Sequence, residues 1–406
     1  MLFLNFQKDN IILSFKKMSI FCKSIIYLST ICFPIIIFTT NAISKEISIG
    51  LAGNFGEKSS WRISTQNYYI HFEMGIKMVL EDFSSQLKKK NIEIKLVKFD
   101  FGGDQLLIPK TVENAVKSDV LAVVGYGYSS EALIAAPLYS QNKLTLLTPS
   151  ATADKLDEYA PFIKRTCFSD SEMIRPIVDM AAKKGIRSVG IISNPDSAYA
   201  QNVRNVFIKS FTEKGGTVTA DEHILSATSN YSELINKLKN KNFDALFIPN
   251  YEESTVFLIS ALYDSGIRPK LWLGADSWGN GSSLLQKVLA KRDLEAYTIS
   301  HWDRTSNNIM LKKFQERYQR QFKLAPTDVS ILAYDAFKLV MLTLLKMKNY
   351  SRVDFQKAIN SSIKYKGLAG EINLNANQVT PSLKSTYLRR IINRNGVLKT
   401  QILLHE

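Results

Sequence analysis

At 406 residues, 45% hydrophobic and 22% charged, the chain is too long for one ordinary core, and its composition is neither disordered nor that of a multi-span membrane protein. Three cysteines exclude a disulfide-built fold and a four-cysteine zinc site, and four histidines (His71, His223, His301, His405) never at ligand spacing argue against a histidine-rich metal centre. The formal net charge of +15 is the one unusual figure.

Lys8, Lys16, Lys17 and Lys23 precede an apolar-rich run from Ser24 to Thr40, followed by the small-residue exit Thr40-Asn41-Ala42. This pattern predicts a signal peptide over residues 1–42, cut after Ala42, with Met18 as an alternative start. The alternative is an uncleaved membrane anchor; Pro34, the hydroxyl residues and the exit site favour cleavage. Without this leader the chain keeps 48 basic and 36 acidic residues and a single cysteine, Cys167, so no internal disulfide is expected. The remaining cations sit in pairs and triplets such as Lys88-Lys89-Lys90 and Lys312-Lys313, with no RNP motif or zinc-finger spacing. They read as solvated helix faces, and no nucleic-acid partner is expected.

From Glu46 onward, short β-branched runs alternate with amphipathic stretches. The strand candidates are Ile47–Leu51, Ile92–Phe99, Leu121–Val124, Leu144–Leu147, Val189–Ile192, Ala245–Ile248 and Leu271–Leu273. Between them, helical patterns cover Phe72–Phe83, Ser130–Tyr139, Glu172–Ala182, Ala200–Thr212, Tyr231–Leu238 and Ser254–Tyr263. Near-continuous apolar strands separated by helices predict an α/β fold with parallel, doubly wound sheets. The rhythm starts twice, once at Glu46 and again at Arg187. Tyr297–His301 then reads as a strand before helices over Ile309–Phe322 and Thr327–Met347, a short Gly367–Leu374 segment, and final strands around Tyr387–Ile392 and Leu398–Leu404. The division expected is lobe 1 over 43–166 plus 300–370 and lobe 2 over 167–299 plus 371–406, with a ligand cleft at the carboxyl ends of two facing sheets.

The run Val124-Gly125-Tyr126-Gly127-Tyr128-Ser129-Ser130 lies where a strand turns into a helix. It lacks the third glycine of a dinucleotide fingerprint and the closing glycine of a nucleophile elbow. Two hydroxyls and free backbone N–H groups at a helix N-terminus suit a carboxylate, with plain N-capping by Ser129 or Ser130 as the alternative. Thr148-Pro149-Ser150-Ala151-Thr152 offers hydroxyls on a second loop. His301-Trp302-Asp303 has no nucleophile or metal ligand spaced to join it, so no catalytic set, metal or cofactor is expected.

These residues resemble the periplasmic solute-binding proteins of ABC transporters, fold type I, in the branched-chain amino acid branch. The likeness runs from about Ile47 to Leu374 and rests on Val123-Val124-Gly125 through Ser129-Ser130, Ala135-Ala136-Pro137, Thr148 to Thr152, Arg165-Thr166, Asp196 to Tyr199, Tyr334-Asp335-Ala336, and Gly367 to Leu374. It implies two Rossmann-like lobes joined by crossover hinges, and a periplasmic receptor that passes an amino acid or related small carboxylate to a membrane permease. Ser129, Ser150 and Thr152 would take the ligand's carboxylate. Tyr199 and Tyr251 would come from the second lobe, and Asp276, where a glutamate is usual, would grip the ammonium. Tyr128 belongs to the same first-lobe loop, and the long stretch from Gly53 to Gly75 would bring Trp61 or Tyr68 over the cleft. Packing remains the alternative for the two second-lobe tyrosines, and helix capping for Ser129, Thr152 and Asp276. A sensor of the same fold, or an exported hydrolase using Ser129, are the rival functions.

Overall fold

The computed structural model describes residues 44–56, 63–225, 227–278, 288, 290–375, 378–381, 385–395 and 397–404. The expected leader and Trp61 lie outside them. Its first sheet has the order β2-β1-β3-β4-β5, built from β1 (Lys45–Gly53), β2 (Ile92–Asp100), β3 (Val123–Gly125), β4 (Leu146–Thr148) and β5 (Ile163–Arg165), all parallel. The second runs β14-β13-β10-β9-β8-β6-β7. It contains β6 (Ser188–Ser193), β7 (Thr217–His223), β8 (Ala245–Phe247), β9 (Leu271–Leu273) and β10 (Leu294–Ser300). Strands β11 (Ile363–Gly367) and β12 (Gly370–Leu374) form a separate hairpin, while β13 (Tyr387–Arg394) and β14 (Val397–Leu404) add an antiparallel edge to the second sheet.

The order β7-β6-β8-β9-β10 repeats β2-β1-β3-β4-β5, so the chain winds the same way twice. In each sheet the strand order reverses beside the first-formed strand, and ligand crevices open at the carboxyl ends there. The sequence reading missed β5, whose Lys164 and Arg165 are buried despite their charge, and β7, a polar edge strand. It also missed the helices α2 (Ile108–Lys117) and α10 (Arg352–Ile359).

Helix α1 (Ile63–Lys89) runs further than its apolar pattern, with Phe72, Ile76, Val79, Phe83 and Leu87 buried along one stripe. It packs on α9 (Asp328–Lys346) so closely that a Cβ at Gly75 would lie 2.4 Å from the Ser330 carbonyl oxygen. Helix α8 (Ile309–Phe322) completes this layer, Phe314 and Tyr318 joining the same core. Helices α3 (Ser129–Gln141), α4 (Asp170–Lys183), α5 (Ala198–Glu213), α6 (Ser232–Lys239) and α7 (Glu252–Asp264) fill the remaining crossovers. Among the described residues no helix is long and apolar enough to cross a membrane.

The expected boundary at 370/371 falls inside the β11–β12 hairpin. Ile363, Leu368, Ile372 and Leu374 share one core with α1 and α9, and Val379 packs with β3 and β4. The hairpin thus packs as one piece on the core of α1 and α9.

Candidate functional site

The β3–α3 loop is shaped by close approaches. Tyr126 is buried in the left-handed region (φ 52°), a costly conformation for a bulky residue. It is held there by hydrogen bonds from its N–H to the Ala52 carbonyl (3.1 Å) and from the Thr148 hydroxyl to its own carbonyl (2.8 Å). A Cβ at Gly127 would fall 2.0 Å from the Tyr68 ring, so glycine lets that ring lie against the loop.

Ser129 opens α3, but the capping alternative is not realised. The N-cap is Tyr128, with no side-chain cap bond, and Ser129 Oγ instead accepts the backbone N–H groups of Thr152 (3.2 Å) and Ala153 (3.3 Å). Ser130 Oγ accepts from the Gln105 amide at 3.1 Å. Ser150 donates to the Gly127 carbonyl (2.9 Å), so its short contact with Tyr68 (2.5 Å) is donated by the phenol. The loops after β3 and β4 are thereby laced into one hydroxyl- and N–H-rich surface.

The second sheet contributes acids. Asp276 follows β9 at the start of the short 3-10 turn Asp276–Trp278, and among the described residues its carboxylate accepts no helix-capping N–H. Its Oδ1 accepts the Tyr199 hydroxyl from the first turn of α5, and its Oδ2 lies 3.0 Å from His301 Nε2 at the end of β10. Asp170, the first residue of α4, is completely buried. Its N–H binds the Thr152 carbonyl (2.8 Å), and one carboxylate oxygen takes the Asn202 amide (2.5 Å). Burial pushes the Asp170 carboxyl up to about 7; Thr152 and Asn202 oppose this, while the charges of Asp154 and Asp276 add to it. Among the described residues neither Asp170 nor Asp276 forms an ion pair with lysine or arginine.

A row of tyrosines joins the two groups. Tyr68 meets Tyr128 (centroids 5.1 Å apart), Tyr128 meets Tyr251 edge to face (5.3 Å), and Tyr251 stacks on Tyr199 (4.9 Å). The row begins at Ser150 and ends at Asp276. It spans the two bodies, because Tyr128 follows a strand of the first sheet and Tyr251 a strand of the second. Six of the eight residues singled out from the sequence lie in this row, and the other two, Ser129 and Thr152, are bonded to each other on the loops beside it.

Asp170 and His301 were not foreseen in it. Asp170 is announced only by its neighbours Ser169 and Glu172, which form the capping box that starts α4. His301 stacks on Phe168 (4.1 Å, 7°) beside Asp276, and its Nδ1 has no hydrogen-bond partner among the described residues. Among the described residues no serine hydroxyl hydrogen-bonds to it.

Two doubly wound α/β bodies whose strand ends are joined by a row of hydroxyls, acids and aromatic rings have the architecture of type I binding proteins. Residues 66–391 match the family model described as periplasmic binding protein, and the chain belongs to that family. A Leu/Ile/Val-binding protein homolog 6 from Brucella suis is 24% identical over 237 residues, 56% of this chain and 59% of the relative. The chain thus spans less than two thirds of the length of such curated relatives. The branched-chain amino acid transporter substrate-binding protein LivJ from Streptococcus pneumoniae, solved with isoleucine, has a TM-score of 0.75 at 22% identity, covering 89% of this chain and 100% of its own. A solute-binding protein of an ABC transporter from R. palustris, solved with 4-hydroxybenzoate, has a TM-score of 0.74 at 18% identity, covering 89% and 96%. These structures share the type I fold, the first a substrate-binding protein and the second a solute-binding protein.

Proposed function

We propose that this protein captures an α-amino acid between two lobes outside the cytoplasm and delivers it to an ABC permease. The observation that carries the reading is the polarity of the cleft. The Ser129 hydroxyl, whose Oγ already accepts the Thr152 and Ala153 N–H groups, keeps its own hydrogen for a carboxylate, while Asp170 and Asp276, which form no ion pair with lysine or arginine among the described residues, suit an ammonium. The tyrosine row of Tyr68, Tyr128, Tyr251 and Tyr199 offers apolar faces to an aliphatic or aromatic side chain between those poles. Closure would be a hinge motion burying the ligand between preformed half-sites.

A thermal-shift and calorimetric screen of L-leucine, L-isoleucine, L-valine, L-phenylalanine, L-tyrosine and 4-hydroxybenzoate tests this. A ligand at one hundred times its dissociation constant adds about 2.7 kcal/mol to stability. The reading predicts that one or more amino acids stabilise the protein and are recovered unaltered. Binding of 4-hydroxybenzoate and of no amino acid would replace the ammonium reading with a simple aromatic carboxylate; a chemically altered ligand would end the receptor reading.

Delivery, as opposed to sensing, requires a permease, and neighbouring permease and ATPase genes would support it. The leader reading is tested separately by sequencing the exported protein's N-terminus, expected at Ile43. A retained apolar segment would make the protein a tethered receptor.

A further inference from the structure

Arg165 ends β5 with a fully buried guanidinium, at a strand position that an apolar residue would fill without the cost of desolvating a cation. Its Nη2 donates to Asp157 Oδ1 (2.6 Å) on the short 3-10 helix Asp154–Tyr159, a carboxylate that is half exposed. Its Nη1 donates to the Ala151 carbonyl at 3.4 Å, and the Cys167 thiol lies 3.6 Å from the same oxygen. Nε has no partner among the described residues, so the two arms of the fork carry the contacts. The anchor is itself fixed. Asp157 Oδ1 also accepts the Thr380 hydroxyl (3.0 Å), and the Arg165 N–H donates to the Val379 carbonyl (2.9 Å).

The consequence of holding the Ala151 carbonyl follows from peptide geometry. That oxygen and the Thr152 N–H belong to one planar trans peptide, so they point in opposite directions. Held from behind by Arg165, the peptide presents the Thr152 N–H forward, where Ser129 Oγ accepts it at 3.2 Å. The Ala153 N–H takes the second lone pair of that oxygen (3.3 Å), which leaves the Ser129 hydrogen for another acceptor. The Thr152 carbonyl in turn takes the Asp170 N–H (2.8 Å). Turned over, the Ala151–Thr152 peptide would set a carbonyl oxygen against Ser129 in place of an N–H, and its negative end would face an incoming carboxylate.

We propose that Arg165 is a positioning residue for carboxylate recognition, acting through the Ala151–Thr152 peptide on Ser129. The planar fork spans the Ala151 carbonyl and Asp157 at once, which a lysine ammonium, a single point of charge, does not reproduce. Arg165 and Ser129 therefore act on one hydrogen bond from opposite sides of the loop.

The proposal rests on the amino-acid reading for its ligand arm alone, and a ligand-free arm stands apart from it. Amide hydrogen exchange, read residue by residue without ligand, compares the wild type with Arg165→Met and Arg165→Lys. In Arg165→Met, protection at Thr152 and Ala153 should fall roughly tenfold further than at Ile49 and Leu51 in the centre of β1. Arg165→Lys keeps a cation for Asp157 and guards against a variant that does not fold; its local loss should be roughly threefold or more. Equal losses at loop and core, or full loop protection in Arg165→Lys, overturn the proposal. In the ligand arm, calorimetry with L-leucine and L-phenylalanine compares Arg165→Lys, Ser129→Ala and the double variant. Arg165→Lys should weaken binding by roughly tenfold. The double variant should bind roughly fivefold tighter than the product of the single losses, because both changes act on the same bond. Losses that simply multiply mark a structural role and overturn the proposal. If the wild type binds neither amino acid, the amino-acid reading fails, and exchange at Thr152 and Ala153 still decides whether Arg165 aims the peptide.

Discussion

Replacing Asp170 with asparagine should make the ligand-free protein more stable at neutral and alkaline pH while making it a poorer receptor. The side chain is completely buried, and its carboxyl is pushed up to about 7, burial being the largest cause. In the unfolded chain it titrates near the ordinary aspartate value of about 3.9. A raised folded value means that the native state binds the proton more readily. The resulting stability is fully present below about pH 4 and is lost as pH rises through about 7. At about 1.4 kcal/mol per pH unit, the whole effect is roughly 4 kcal/mol. Between pH 5 and pH 8 the wild type should lose about 3 kcal/mol from this group, and the asparagine variant none. Urea unfolding of both proteins at pH 5, 6, 7 and 8, without ligand, measures this directly: the stability gap should move by about 3 kcal/mol in favour of the variant. A gap constant with pH would refute the claim that Asp170 is held as a buried, destabilising carboxylate. Calorimetry with an amino acid at pH 8 completes the test. A variant more stable yet several-fold weaker in binding identifies an acid kept for a cation, whereas undiminished affinity would assign it to packing.

Asp276→Ala should weaken an amino-acid ligand by roughly 30-fold to several thousand-fold, the cost of leaving a buried cation unpaired, while the deaminated analogue loses nothing; equal affinity of the amino acid for variant and wild type excludes the ammonium role. Ser129→Ala removes the acceptor of two backbone N–H groups and should cost about 1–3 kcal/mol in urea unfolding, with weaker binding of both the amino acid and its deaminated analogue. Glu295 is pushed up by burial, but Arg390, Tyr297 and Lys184 outweigh this and hold its carboxyl down at about 2. A depressed folded value contributes stability above about pH 4.5 that is lost as pH falls through about 2. After discounting for solvent screening, Glu295→Gln should therefore cost about 1 kcal/mol at pH 7, a penalty that disappears by pH 2; unfolding measured at both values checks it.

The double winding was legible because buried parallel strands such as Ile49–Leu51 and Leu246–Phe247 are short apolar runs, and the helices between them carry a 3.6-residue apolar stripe. What escaped follows from the same physics. Ile163-Lys164-Arg165 has no strand signature, since its cations are accommodated by tertiary partners, Lys164 by a hydrogen bond to the Gln378 carbonyl and Arg165 by an ion pair with Asp157. Thr217–His223 is an edge strand and needs no apolar alternation. The loops around Ser129 and Thr152 could be placed from sequence because hydroxyls at strand ends are local features. The link of Ser129 to Thr152, the burial of Asp170 and the contact of His301 with Asp276 join residues 23 to 25 apart or more and exist only once the strands are ordered.

The crossovers explain why His301 lies between Asp276 and the segments that pass from one sheet to the other. An extended segment turns successive side chains to opposite sides. Where the chain leaves β5, Cys167 packs into the core of the first sheet and Phe168 into that of the second. Where it leaves β10, Trp302 enters the first core while its neighbour His301 lies back on Phe168 at the second sheet's edge. The Phe168–His301 stack therefore ties two crossings together at the base of the cleft. A third is fastened to β5 by the bond from the Arg165 N–H to the Val379 carbonyl (2.9 Å). Rotating one body on the other leaves each core intact if the φ/ψ change is absorbed within these few residues.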